Sequence, residues 1–347
     1  MNNITEDVKE YYGKTLSGKK DLKTNACCCG SDSYPPEVRE ALALIADEIH
    51  EKAYGCGSPL PPLLNGLNVL DLGCGTGRDV YVASKLVGEN GHVTGIDMTD
   101  EQLSVARKYI GHHRDKFGYS ESNVTFRQGY IENLAECGIE DSSIDVVISN
   151  CVLNLSPSKE SVFKEIFRVL KPGGELYFSD VFADRRIDKK LSSDPVLRGE
   201  CLGGAMYHED FRRLMASVGF ADFRYTNIRN LTIDNEEIEK LVGMVGFSSR
   251  TVRAFKIESL EDRCEDYGQV AYYNGGIPGS EHFFDLDDHH RFVRGKPMLV
   301  CGNTAAMVSE TRFAPFFRVA GDRSVHYGAF DCSSGDGEKC TDKGNCC

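Results

Sequence analysis

Asn68-Val69-Leu70-Asp71-Leu72-Gly73-Cys74-Gly75-Thr76-Gly77 is the stretch from which the fold can be read. A short apolar strand carries an acid at Asp71 and ends in a turn with glycine at every second position. Glycines so placed let the backbone turn tightly and come close to a ligand. The helix that follows then presents its N-terminal dipole to that ligand. This helix is expected through about Val87.

Outward from this junction, strand and helix alternate. His92 to Met98 reads as a second strand, with a helix opening at Thr99, where Thr99 and Gln102 have capping-box spacing. Val124 to Gln128 is a third strand. Ile144 to Cys151 is a nearly unbroken apolar run, as expected of a strand covered on both faces. A helix from about Lys159 stops at Lys171-Pro172-Gly173-Gly174, and Glu175 to Phe182 forms a further strand. Such alternation implies right-handed crossovers, hence an α/β fold with a doubly wound, mostly parallel sheet.

Residues 1–60 are expected to form a thiol-bearing arm and one helix, opened by Pro35-Pro36 with Val38, Leu42, Ile45 and Ile49 on one face. Residues 61–230 are the expected sheet domain. Beyond them, Thr251 to Ile257, Gln269 to Tyr273 and Pro297 to Val300 indicate a smaller α+β region at 231–330. Residues 331–347 form a Cys-rich tail.

The 347 residues are 41% hydrophobic and 27% charged, a globular balance, with a net charge of −13. That charge argues against a nucleic-acid partner. No apolar run approaches a membrane span and no secretory signal is visible, so a cytoplasmic monomer is expected. Fourteen cysteines are the unusual feature: Cys27-Cys28-Cys29 form a run, and Cys332, Cys340, Cys346 and Cys347 crowd the end. In a reducing compartment, clustered thiols point to metal, metalloid or redox chemistry. Isolated ones such as Cys137 and Cys301 read as buried and inert.

The G-x-G-x-G spacing after an acid differs from that of dinucleotide-binding turns, and no hydride-transfer constellation accompanies it. It is the pattern of methyltransferases around the amino-acid end of S-adenosylmethionine. Asp97, twenty residues after Gly77, stands where a carboxylate accepts both ribose hydroxyls. Met98 would pack beside the adenosine, Ile131 would wall the adenine, and Glu132 would face its amino group. Asn150 and Cys151 end the fourth strand, at the crevice where open sheets bind ligands.

Several stretches together resemble the arsenite S-adenosylmethionine methyltransferase family over about residues 5 to 300. They include Asp21-Leu22-Lys23-Thr24-Asn25-Ala26-Cys27, Tyr54-Gly55-Cys56-Gly57, Asp71 to Asp79, Gly95-Ile96-Asp97-Met98-Thr99, Ser149-Asn150-Cys151-Val152-Leu153-Asn154-Leu155, Gly199-Glu200-Cys201-Leu202-Gly203-Gly204 and Tyr273-Asn274-Gly275-Gly276-Ile277. The resemblance implies that Cys56 and Cys201 bind trivalent arsenic as thiolates. It implies that Cys27, or its neighbour Cys28, acts in a redox step served by a thiol reductant of glutathione or thioredoxin type. Tyr54, Gly73, Met98, Ile131 and Asn150 would touch the cofactor, with Asp71, Gly75, Gly77, Asp97 and Glu132 completing its site. Soft metalloids select cysteine ligands, which agrees with the thiol count.

One position departs from the family pattern. A further arsenic thiolate is expected in Gly243-Met244-Val245-Gly246-Phe247-Ser248-Ser249, and Val245 stands in its place. Two thiolates would suit methylarsenite better than arsenite, unless Cys264 or a tail cysteine completes the site. Two rival readings stay open on sequence alone: a methyltransferase of another small molecule, and a non-catalytic, thiol-rich metalloid-binding protein.

Overall fold

The apolar runs pair as their alternation requires. A computed structural model describes residues 34–332 except 54, 56 and 58. The arm at 1–33 and most of the tail thus lie outside the described residues, as does the side chain of Pro195. β1 (Asn68–Leu72) lies between β2 (His92–Asp97) and β4 (Ile144–Asn150), parallel to both, and β3 (Val124–Gln128) flanks β2. β5 (Leu170–Ala183) adds in parallel beside β4, and the two-residue β6 (Met206–Tyr207) pairs with its end. β7 (Phe223–Leu231) and β8 (Phe247–Phe255) form an antiparallel hairpin at the edge, giving the order β3-β2-β1-β4-β5-β8-β7.

Both faces of the sheet are covered. Val146 and Ile148 of β4 join the cluster under the helix Arg78–Val87, while Val147 joins that under Lys159–Val169 and His208–Val218. Among the described residues no helix is long and apolar enough to cross a membrane.

Three details differ from the sequence reading. The single helix expected after Pro35 is two, Pro36–Leu42 and Asp47–Glu51, because Ala46 is extended and donates its N–H to Nε2 of His113 at 3.4 Å. Thr99 makes no side-chain cap; its N–H instead meets the Asp97 carboxylate at 2.8 Å. The division expected at 230/231 falls inside β7, and the run from Thr251 belongs to the main sheet. An edge strand exposed along Asn227–Asn230 carries no alternating apolar signal, which hides such a hairpin from pattern reading.

The remaining lobe centres on Gln269–Tyr273, antiparallel to Pro297–Val300 and Phe317–Ala320, with the helix Gly302–Ser309 against it. A buried ion cluster ties this lobe to the sheet. Glu175 on β5 accepts from Nε of Arg253 on β8 at 2.6 Å and pairs with Arg312 of the lobe. Arg312 also donates to the carbonyl of Pro62 at 2.9 Å, and Arg253 to that of Leu286. Removing one member of a buried ion cluster leaves the others uncompensated. Glu175→Gln is therefore expected to lower unfolding free energy by about 3–5 kcal/mol, read from denaturant melts of parent and variant.

Candidate active site

The cofactor side of the site lies over the C-terminal ends of β1, β2 and β4, in an open cleft with about 1110 Å³ of empty space. Gly73, Gly75 and Gly77 all have left-handed backbones, with φ of 70°, 53° and 85°. A Cβ at Gly73 would strike Val152 at 2.4 Å, and one at Gly77 would strike Phe126 at 2.9 Å. Those two glycines allow close packing. A Cβ at Gly75 would meet nothing nearer than Gln102 Oε1 at 3.9 Å, so the turn leaves room there for a ligand.

Asp97 accepts from the N–H of Gly75 and of Thr99, both at 2.8 Å, which joins the glycine turn to the end of β2. Burial raises its carboxyl above the usual range, although these hydrogen bonds oppose that. Asp71 is buried beneath the turn. Burial first, then the charges of Asp79 and Asp97, push its carboxyl well up. Met98, Ile131 and Glu132 also line the cleft, and Glu132 Oε1 accepts from Ser156 Oγ at 2.5 Å. Asn150 donates through Nδ2 to Asp79 and to the Gly57 carbonyl, each at 3.0 Å, and its Oδ1 accepts from the Gly57 N–H at 3.3 Å.

The thiol side begins one residue later. The sulfurs of Cys151 and Cys201 and an oxygen of Asp180 all lie within 4.8 Å of one another, and all three residues are buried. Cys201 donates its S–H to the Cys151 carbonyl at 3.3 Å. Asp180 is held by the N–H of Asn154, the side-chain amide of Asn154 and the N–H of Val181, at 2.7–3.0 Å. Burial pushes its carboxyl up to about 7, and burial pulls the neighbouring Lys159 down to about 8.

Cys27, Cys28, Tyr54 and Cys56 lie outside the described residues, but the neighbours of Cys56 do not. A Cβ at Gly55 would meet Asn150 at 2.5 Å and one at Gly57 would meet Ser179 at 2.2 Å, so both glycines are wedged against the ends of β4 and β5. Cys264, considered above as a completing thiol, groups with Cys301 and Cys332 rather than with Cys201. Val245 is partly buried against the cluster that contains Cys151 and Cys201.

The sequence reading placed Cys151 at the crevice without foreseeing that its sulfur lies beside Cys201, and it did not single out Asp79 or Asp180. Cys151 carried a usable signal, its place at the strand end beside Asn150. Asp180 carried none, since a buried acid within an apolar strand reads only as an interruption.

Residues 63–219 match the family described as methyltransferase domain, and residues 266–347 match the arsenite methyltransferase C-terminal domain. The chain is 50% identical to the arsenite methyltransferase of Aquipseudomonas alcaligenes, with 95% of each chain covered. The chain belongs to the arsenite methyltransferase family. The human arsenite methyltransferase is 44% identical, covering 91% of this chain and 84% of its own. A crystal structure from Chlamydomonas reinhardtii, of an arsenic (III) S-adenosylmethionine methyltransferase, is 56% identical. It superposes with a TM-score of 0.83 over 86% of this chain and 100% of that one.

The sequence expectation that the Asp97 carboxylate accepts the ribose hydroxyls can be tested directly. Charge-assisted hydrogen bonds contribute about 1.5–3 kcal/mol each, and about 1.4 kcal/mol is a factor of ten in affinity. Asp97→Ala is expected to raise the Kd for S-adenosylmethionine at least about tenfold. Calorimetric titration of the folded variant checks this, and an unchanged Kd removes Asp97 from the cofactor site.

Proposed function

We propose that this protein transfers the methyl group of S-adenosylmethionine to trivalent arsenic held by Cys56, Cys151 and Cys201. The observation that carries the reading is the buried pair Cys151–Cys201, set one residue beyond Asn150 at the edge of the cofactor cleft. Tyr54, Asp71, Gly73, Gly75, Asp97, Met98, Ile131, Glu132 and Asn150 form the cofactor site, with Gly77 shaping its turn. When bound there, S-adenosylmethionine supplies an electrophilic methyl that the arsenic lone pair can take.

The chain's own contribution is positioning and exclusion of water, since no proton has to leave the nucleophile. Thiolates at two or three corners of the arsenic pyramid leave the lone pair on the side away from sulfur. Asn150 pins Gly57 beside the strand end that carries Cys151. A thiol reductant of glutathione or thioredoxin type belongs to the reaction, with Cys27 or Cys28 in the redox step. Cys151 is disulfide-bonded in this structure, so that thiol has to be freed before it can hold arsenic.

Substrate preference follows from counting thiols. Methylarsenite has two exchangeable hydroxyls, which Cys151 and Cys201 can replace; arsenite has three and needs Cys56 as well. The sequence expectation of a preference for methylarsenite rested on Val245, and Cys151 now supplies a thiol that this expectation lacked. Methylarsenite still asks less of the site, because it is fully held by the pair alone.

Cys151→Ser and Cys201→Ser are each expected to abolish methylation of arsenite and methylarsenite while leaving S-adenosylmethionine affinity within about threefold, well under the 1.4 kcal/mol of a tenfold change. Cys56→Ser is expected to lose arsenite turnover and to keep most methylarsenite turnover. The check is initial rates with both arsenicals, side by side. Parent-level methylation by Cys201→Ser would remove the thiol site as read here.

A further inference from the structure

A second group of three cysteines lies in the C-terminal lobe, and none of its members lines the cofactor cleft. The sulfurs of Cys264, Cys301 and Cys332 lie within 4.8 Å of one another, with Cys264 and Cys301 buried and Cys332 half-buried. Three separate segments bring them together. Cys264 precedes the short strand Glu265–Asp266, which pairs with Gly328–Ala329, and the N–H of Phe330 donates to the Cys264 carbonyl at 2.9 Å. That pairing carries the chain to Cys332. Cys301 is the N-cap of the helix Gly302–Ser309, and its sulfur accepts the N–H of Thr304 at 3.4 Å.

The buried Arg224 guanidinium reaches Cys264 Sγ at 3.8 Å and Cys301 Sγ at 3.9 Å. A fixed cation beside sulfur favours thiolate, the form that binds soft elements. Isolated cysteines usually serve as small apolar fillers. Three sulfurs converging around a guanidinium from three segments do not fit that role.

We propose that Cys264, Cys301 and Cys332 form a second binding site for trivalent arsenic, separate from the methyl-transfer site. Three donors are what a trivalent pyramid needs, and the product is neutral, so no additional positive charge is placed beside Arg224. Cys264 is disulfide-bonded in this structure, so loading starts with reduction. Two equivalents of a small thiol open that bond to two free thiols and leave as their own disulfide. Arsenite, As(OH)3, then exchanges three As–O bonds for three As–S bonds. The three thiol protons depart with the hydroxyls as water, and arsenic remains trivalent throughout.

The test uses the full chain, reduced with a phosphine, loaded with excess arsenite and desalted, with arsenic counted per chain. Cys301→Ser keeps an N-cap oxygen, which helices favour, and removes a soft ligand. Cys332→Ser does the same at a half-buried position where folding is not at stake. Each is expected to bind one arsenic fewer than the parent, and Cys201→Ser should lose a different one, so that Cys201→Ser/Cys301→Ser loses two. X-ray absorption of the Cys201→Ser protein should keep a three-sulfur arsenic shell that the double variant lacks. Unchanged stoichiometry in both Cys301→Ser and Cys332→Ser overturns the proposal, as does a site that retains added zinc and is not emptied of it by arsenite. An unchanged count in Cys201→Ser alone counts against the methyl-transfer site and leaves this one standing.

Discussion

The end of β4 is the constraint on which the site depends, because consecutive residues there face different parts of it. Asn150 bonds to Asp79 and Gly57, beside the cofactor turn, whereas the thiol of Cys151 joins Cys201 and Asp180. The sheet fixes this division. Leu72 of β1 lies opposite Ser149, Asn150 lies opposite Ser179 of β5, and the N–H of Cys151 is bonded to the Ser179 carbonyl at 2.8 Å. A slip of one residue would exchange the two faces, placing the Cys151 sulfur against the glycine turn and the Asn150 amide against Cys201. On the proposed reading, the distance between methyl donor and acceptor would thus be set by strand register and not by the loops alone.

Backbone strain marks the same place. Among the described residues, four that are not glycine have left-handed φ: Leu63, Ser142, Cys151 and Cys201. Two of these are the paired thiols. Such conformations cost of order 1–3 kcal/mol each and persist where the surroundings over-determine them. Around Cys201 they do so visibly. Its N–H bonds to Arg198 at 3.0 Å, and Gly203 bonds to Leu197 at 2.7 Å. A Cβ at Gly204 would lie 2.1 Å from the Asn154 carbonyl. The Gly199 to Gly204 stretch, which reads in sequence as a helix interruption, is a closely packed turn whose product is the position of one sulfur.

How much of this was legible depended on whether a residue's role lay in local pattern or in long-range contact. The glycine turn, Asp97 and the strand through Asn150 were readable because each sits at a strand end where spacing alone carries the signal. The β7–β8 hairpin was not, since Phe223–Leu231 is a half-exposed edge strand with polar positions where alternation was sought. The pairing of Cys151 with Cys201 spans 50 residues, and no spacing rule predicts it. Val245, where the family pattern expects a thiol, packs against the cluster that contains Cys151 and Cys201. Cys301 is buried, as its isolated position suggests, and its two neighbouring sulfurs come from segments remote in sequence, which no spacing rule foresees.

On the proposed reading, Asp180 bears on why sulfur, and not oxygen, would hold the substrate. Its carboxylate lies among the thiols and would compete for a hard cation. However, three N–H donors from Asn154 and Val181 already occupy its oxygens, and burial holds it near neutrality. To bind an ion it would have to give up those bonds in a place where water cannot replace them. Cys201 donates a weak S–H contact to the Cys151 carbonyl, which costs less to exchange. On the proposed reading, a soft trivalent centre would therefore engage these sulfurs, once Cys151 is reduced, at less cost than the oxygen. Asp180 instead fixes Asn154, and with it the short turn that carries the chain away from Cys151. On that reading, the carboxylate would favour sulfur ligands because most of its acceptor capacity is already used.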